Sequence, residues 1–203
     1  MNVRKILKGV ITLSVKIDRT GYRFTTNEGY EAIVIQYKNN KEIIIEFQDE
    51  HKAQVKTAWH YIIKGNIRNP FHKTVYGVGC LGVMKNGERP KTCENSKELR
   101  EYTCWHSMLH RCYSESSLRD RPSYEDAQVC SRWLVYSNFL EDLPLIEGYD
   151  YWINNPNKKI ALDKDIKGKN SKIYSLENCC FIDIGENSKE RMDRVGNPNP
   201  RKE

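Results

Sequence analysis

No apolar run in this chain approaches the roughly 20 residues that a membrane-spanning helix needs; the longest, around Ile43–Phe47, is the size of a β-strand. The opening residues, MNVRKILKGV, are basic, yet they lack the apolar core and small-residue cleavage site of a signal peptide. Cysteines at CxxC spacing are absent too. The seven that occur, at positions 80, 93, 104, 112, 130, 179 and 180, are odd in number and irregularly placed. That speaks against a four-cysteine zinc site or a disulfide framework and for reduced, buried thiols. There is no HExxH and no internal repeat. Tyr76–Arg89 holds four glycines, but their spacing is wrong for a phosphate-binding loop and no strand-to-helix switch follows. These absences describe a cytoplasmic protein with no membrane partner. What is present is the composition of a folded chain: 203 residues, 38% hydrophobic, with twelve Tyr, five Phe and four Trp, more than a disordered chain carries. The length accommodates one large domain or two small ones.

The net charge of +6 is unevenly placed. Of the 33 Lys/Arg and 27 Asp/Glu, thirteen and seven fall in residues 1–75, which leaves twenty of each for the remainder. A basic front attached to a neutral remainder suits a module that faces a polyanion.

Within that front, Tyr22–Thr26, Ala32–Tyr37, Ile43–Phe47 and Ala53–Thr57 read as short strands separated by turn residues. Apolar side chains alternate in Ile33, Ile35, Tyr37 and again in Ile43, Ile45, Phe47, the period of a half-buried strand. The expected product is a small antiparallel barrel or curled sheet of four or five strands. A polar turn over Lys64–Lys73 closes it, Tyr76–Arg89 reads as a tight connector or ribbon, and Pro90–Asn95 as a linker. The fold class is therefore α+β. A basic β-rich, barrel-like module covers residues 1–90, an α+β domain covers 91–196, and a disordered tail covers 197–203.

The second domain opens with the clearest helical pattern, Asn95–Tyr113. Asn95 and Glu98 suit a capping box, and Leu99, Tyr102, Trp105, Met108, Leu109 and Cys112 share one face. Arg100, His106, His110 and Arg111 fall largely elsewhere. A polar loop with Pro122 follows. A second helix is predicted over about Val129–Asp142, with Val129, Trp133, Phe139 and Leu140 inward and Pro144 at its end. Ile146–Lys159 reads as a loop containing Trp152. Last come a strand at Asp163, a Gly/Asn/Lys-rich turn, a second strand, and a charged helix from near Gly185 that carries Asn187. This layout can bring a carboxylate and an amide oxygen from opposite ends to one point. Such a pair suits one hard divalent cation beside a phosphate.

Several segments occur in a telling order: WxxMLxRCY at Trp105–Tyr113, Tyr124, VCxxW at Val129–Trp133, Phe139, LDKDI at Leu162–Ile166, YSxENC at Tyr174–Cys179, and Asn187. The series resembles bacteriophage proteins described as HNH-type homing endonucleases or AP2-associated DNA-binding proteins. The resemblance covers roughly residues 100–190. The stretch from Gly29-Tyr30-Glu31 through Val75-Tyr76-Gly77-Val78-Gly79 is similar to an N-terminal module found with some of them. The resemblance implies a double-stranded DNA-binding protein of the host-cell cytoplasm with a ββα-metal unit for phosphodiester cleavage, an endonuclease or nickase. One Mg²⁺ or Mn²⁺ would be held by Asp163 and Asn187, and Asn178 would orient the general base. The cation would stabilise the pentavalent phosphate and the leaving oxygen.

The base, a His in that family, is Lys164 here. A lysine with the ordinary pKa of about 10.4 carries its proton at neutral pH, and an exposed, turn-rich unit offers no desolvation to change that. Lys164 is therefore expected to touch phosphate. Asp165, on the strand face of Asp163, is the candidate second ligand or water activator. Three readings stay open: a nuclease with an altered base, a nuclease frame kept for DNA binding, and a purely structural unit. From other classes come a non-catalytic phage effector that uses the frame for a host protein, an RNA or a nucleotide messenger, and a structural phage component. Candidate DNA contacts are Lys38, Lys41, Lys64, Arg68, Asn69, His72 and Lys73, interleaved with Tyr22, Tyr30, Tyr37 and Tyr61, and on the first helix Arg100, His106, His110 and Arg111. His106 and His110 also have the i, i+4 spacing of a zinc pair, with Cys112 nearby, but further ligands are missing. Trp105, Met108 and Trp133 are expected in the core.

Overall fold

A computed structural model describes residues 17–167 and 171–184. The predicted ligand Asn187, the predicted helix from Gly185 and the tail at 197–203 lie outside them. The chain divides into two compact units, Met1–Ile67 and Arg68–Glu203, well before the linker expected at Pro90–Asn95. Packing explains the difference. The ribbon around Gly79 lies so close to the second unit's core that a Cβ there would meet the side chains of Leu109 at 2.5 Å and Trp105 at 3.1 Å. Cys80 also exchanges backbone hydrogen bonds with Leu134 and Tyr136 at 3.0 and 2.9 Å.

The first unit is built from β1 (Arg23–Thr25), β2 (Glu31–Asn39), β3 (Glu42–Phe47) and β4 (Gln54–Thr57), followed by α1 (Trp59–Ile63). The strands form an antiparallel meander in sequence order, β1-β2-β3-β4, an open four-stranded sheet and not a closed barrel. Ala32 and Val34 stand opposite Phe47 and Ile45, and these four bury one face together with Ile43, as the two-residue period requires. The inward set on β2 is thus not Ile33, Ile35 and Tyr37. The register shifts between Val34 and Gln36, which leaves Ile35 without a partner and exposed. Along the sequence, residues 1–16 carry four Lys/Arg and no acid, whereas residues 17–67 carry seven of each sign. Residues 17–67 are therefore charge-balanced, and the surplus of the front falls in residues 1–16 and in Arg68 and Lys73.

In the second unit, β5 (Cys93–Glu94) and β6 (Lys97–Glu98) form a hairpin. Asn95 and Ser96 close it with φ of 49° and 63°, the left-handed conformation that a two-residue hairpin turn needs. Asn95 therefore turns a hairpin instead of capping a helix. α2 (Arg100–Tyr113) begins later, with Leu99 at its N-cap. α3 (Glu115–Asp120) occupies part of the expected polar loop, followed by β7 (Gln128–Val129). The single helix expected over Val129–Asp142 is instead a 3-10 turn at Ser131–Leu134 and α4 (Tyr136–Asp142). Its break at Val135 is where the backbone of Cys80 pairs. α5 (Tyr149–Asn154) forms in the segment expected as a loop, and β8 (Ile160–Asp163), β9 (Ile173–Tyr174) and β10 (Cys180–Asp183) complete the described chain.

Trp105, Met108, Leu109 and Cys112 of α2 pack with Trp133, Tyr136, Phe139, Trp152, Leu162, Tyr174 and Phe181 in one core. Its polar atoms are matched. The Trp105 indole donates to the Trp133 carbonyl at 2.7 Å, and the Trp133 indole donates to Asp142 Oδ2 at 2.9 Å. Asp142 also accepts from Arg132 at 2.8 and 3.0 Å. Burial alone would raise the Asp142 carboxyl, but the bonds from Arg132 and Trp133 outweigh it and hold the group below the ordinary carboxylate range. β8 and β10 pair antiparallel with Asp163 opposite Cys180 and Leu162 opposite Phe181. Gly148, at the N-terminus of α5, sits at φ 82°, and a Cβ there would lie 2.7 Å from the Phe181 carbonyl oxygen. Only glycine lets α5 start this close to β10.

Candidate nucleic-acid interface

The two strands expected around Asp163 are present as β8 and β10, but the chain between them is no free turn. β9 docks in parallel on β7, with Val129 opposite Tyr174. Directly after β8, Asp163 Oδ1 accepts the backbone N–H groups of Asp165 at 2.8 Å and Ile166 at 2.9 Å. This is the local turn chemistry of aspartate. It takes Asp165 off the strand, so Asp163 and Asp165 do not share a strand face. Lys164 points inward with its side chain 7% exposed. Its Nζ lies 2.5 Å from Asp165 Oδ1 and 5.7 and 5.8 Å from the ring centroids of Tyr124 and Tyr174. The lysine expected at an exposed phosphate contact is a buried structural cation. Asn178 spends its amide on Ser171 Oγ at 2.9 Å and the Ile173 carbonyl at 3.1 Å, fastening the chain before β10.

These commitments bear on the implied cation. Asp163 Oδ1 is taken by two amides and Asp165 by Lys164. Among the described residues, no group of three or more His, Cys, Asp or Glu side chains is placed to hold a metal ion. The second expected ligand, Asn187, lies outside the described residues, so the described donors neither complete nor exclude the Asp163–Asn187 pair. The described donors at α2 do not make a zinc set. Cys112 is in the core, while His106 and His110 are half-buried and pack against Tyr76, one ring tilted and the other edge-on, with centroids 5.2 and 5.6 Å away.

A different feature emerges along α2. A groove of about 450 Å³ runs between this helix and the chain from Pro156 to Leu162. The helix wall is Arg100, Thr103, Cys104, Ser107 and Arg111, the i, i+3, i+4, i+7, i+11 series of one helical face. Facing it are Lys158, Lys159 and the strand residues of β8, with Trp152 and Ile184. Small side chains at Cys104 and Ser107 leave the trough open, and the described lining holds four cationic residues and no carboxylate. The Arg100 guanidinium lies 4.3 Å from the Trp152 ring centroid and donates to the Trp152 carbonyl. Lys158 bonds the Tyr151 hydroxyl. The Arg111 guanidinium lies 5.4 Å from the Tyr174 ring centroid, and its Nε is buried with no hydrogen-bond partner. Leaving a buried donor unmade costs about 1–3 kcal/mol, more on a charged group. Cys104 is half-buried at the groove, and desolvation pushes its thiol up to about 12, which leaves it inert as a nucleophile.

The remaining predicted contacts divide between the units. Lys38, Lys41 and Lys64 lie exposed on the first, with Lys38 paired to Glu42 at 2.7 Å. Arg68 and Lys73 are exposed on the second, and His72 is half-buried there. Asn69 is buried, and its Oδ1 accepts the Phe71 N–H at 2.9 Å, so it holds a turn instead of facing outward. Arg100 and Arg111 do meet in one groove. Lys158, Lys159 and Ser107 were not singled out in the sequence. The available signal was the arginine pair eleven residues apart with small residues between. Compared with known proteins, the chain matches no family model, no curated protein and no solved structure.

Proposed function

We propose that the chain binds double-stranded DNA through the groove between α2 and β8, on an HNH-like strand pair that does not hydrolyse it. One observation carries this reading: four cationic residues, Arg100, Arg111, Lys158 and Lys159, line one groove without a carboxylate. A duplex presents one negative charge per roughly 1.7 Å of its axis. Eleven helical residues separate Arg100 from Arg111 by about 16 Å, enough to meet several phosphates. The family resemblance supplies the duplex as the target and a phage as the source. General-base cleavage needs a proton acceptor at the position after Asp163. In its place stands Lys164, buried and paired with Asp165.

Fluorescence anisotropy of a short labelled duplex tests the reading. With four phosphate contacts, affinity falls roughly a hundredfold between 50 and 200 mM salt. Binding that is absent or indifferent to salt ends it. Nicking of plasmid by the wild-type chain with Mg²⁺ or Mn²⁺ would overturn the non-hydrolytic part alone.

A further inference from the structure

We infer that the Arg111 end of the groove is a seat for one phosphate group, which rests on the DNA-binding reading for its source, a backbone phosphate. The groove's cations are not equivalent. Arg100 is engaged by the ring and carbonyl of Trp152, and Lys158 by the Tyr151 hydroxyl. Arg111 alone among the described residues keeps a buried side-chain donor without an acceptor. The Tyr174 ring supports one part of its guanidinium, and Ser107, one turn earlier on the same face, contributes a hydroxyl to the same lining. A guanidinium presents Nε–H and a terminal N–H in parallel, the fork that two oxygens of a phosphate accept together. No carboxylate in the described lining competes for that fork.

Phosphate entry would turn the Arg111 side chain toward the groove. An unmade N–H bond would then become two charge-assisted ones, a gain that no other cation of the groove has in reserve. A surface lysine would hold the same phosphate as a point charge and would lose nothing buried when empty. Arg111 therefore sets the register of the backbone along α2, and the lysines opposite add charge without fixing position.

Side-chain NMR of the full-length, ¹⁵N-labelled wild-type chain tests this without depending on a variant. The Arg111 Nε–H resonance, assigned through bonds, is followed as inorganic phosphate and then a short duplex are added. The expected result is a shift with both, and a loss of duplex affinity of about tenfold to a hundredfold in Arg111→Gln that Arg111→Lys recovers only in part. A resonance unmoved by either probe while the duplex still binds by anisotropy overturns the seat and spares the DNA reading. A resonance that moves with inorganic phosphate while no duplex binds keeps the seat and removes the DNA reading. If nothing binds and nothing moves, both are wrong.

Discussion

The ammonium of Lys164 lies 2.5 Å from the carboxylate of its neighbour Asp165, yet their side chains are 7% and 50% exposed. Water can replace the partner of Asp165 but not that of Lys164. Removing either charge is therefore not symmetric. Lys164→Met keeps the buried stem and lets Asp165 hydrate, so stability should change by less than about 1 kcal/mol. Asp165→Ala strands a buried ammonium between two tyrosine rings and should cost about 1–3 kcal/mol. Urea denaturation of both variants measures the two, and equal losses would contradict the asymmetry.

The Asp142 carboxylate predicts an acid-sensitive core. Its folded pKa lies below the value of about 3.9 in an unfolded chain. The stabilisation it provides is thus fully present above pH 4–5 and is lost as pH falls through the lower, folded value. Asp142→Asn removes the charge that Arg132 and the Trp133 indole address. Arg132 is half exposed and can rehydrate, so a loss of roughly 1–2 kcal/mol is expected at pH 7. Thermal melts across pH should show the gap between wild type and Asp142→Asn shrinking as pH falls below about 4. A gap that does not change with pH would assign the effect to shape instead of charge.

The seven thiols should separate sharply in reactivity. Cys93 is exposed on β5. Burial pushes Cys104 and Cys179 up to about 12 and Cys112 to about 11. At pH 8 a group with a pKa near 12 is thiolate about once in ten thousand molecules, and the thiolate is the reactive form. Brief iodoacetamide treatment of the native chain should give one dominant adduct, at Cys93, by mass spectrometry. Fast labelling of Cys104 would contradict the desolvation that holds its thiol protonated.

The first four strands were legible because their signal is local: two-residue alternation punctuated by turn residues. The buried face of β2 was not, since Ala32 and Val34 turn inward ahead of a register shift that leaves Ile35 unpaired and exposed. α4 begins where it does because the backbone of Cys80, far upstream, interrupts the segment at Val135, and no periodicity near Val129–Asp142 records that. α5 is six residues long and is held by Gly148 against Phe181, a contact made across the chain. Lys164 was misread for the same reason. A lysine in a polar turn reads as solvated, and its burial depends on Tyr124 and Tyr174 arriving from two other segments. The groove was half legible, through Arg100 and Arg111, because helix spacing places those two residues on one face. Its lysine wall became visible only with the pairing that sets β8 beside α2.

Each phosphate contact contributes about 0.9 to the slope of log affinity against log salt on duplex DNA. Lys159→Gln removes one groove charge without touching the core, so the slope should fall by about one, and the loss in affinity should be the same on unrelated duplex sequences, because backbone contacts carry no base readout. Lys38→Gln removes a charge from the first unit, where residues 17–67 are balanced and Lys38 is already paired with Glu42. Its slope should match that of wild type. Anisotropy titrations at several salt concentrations compare the three proteins directly. If Lys38→Gln lowers the slope and Lys159→Gln leaves it alone, the polyanion faces the sheet, and the arginine stripe of α2 must be explained as packing around Trp152 and Tyr174.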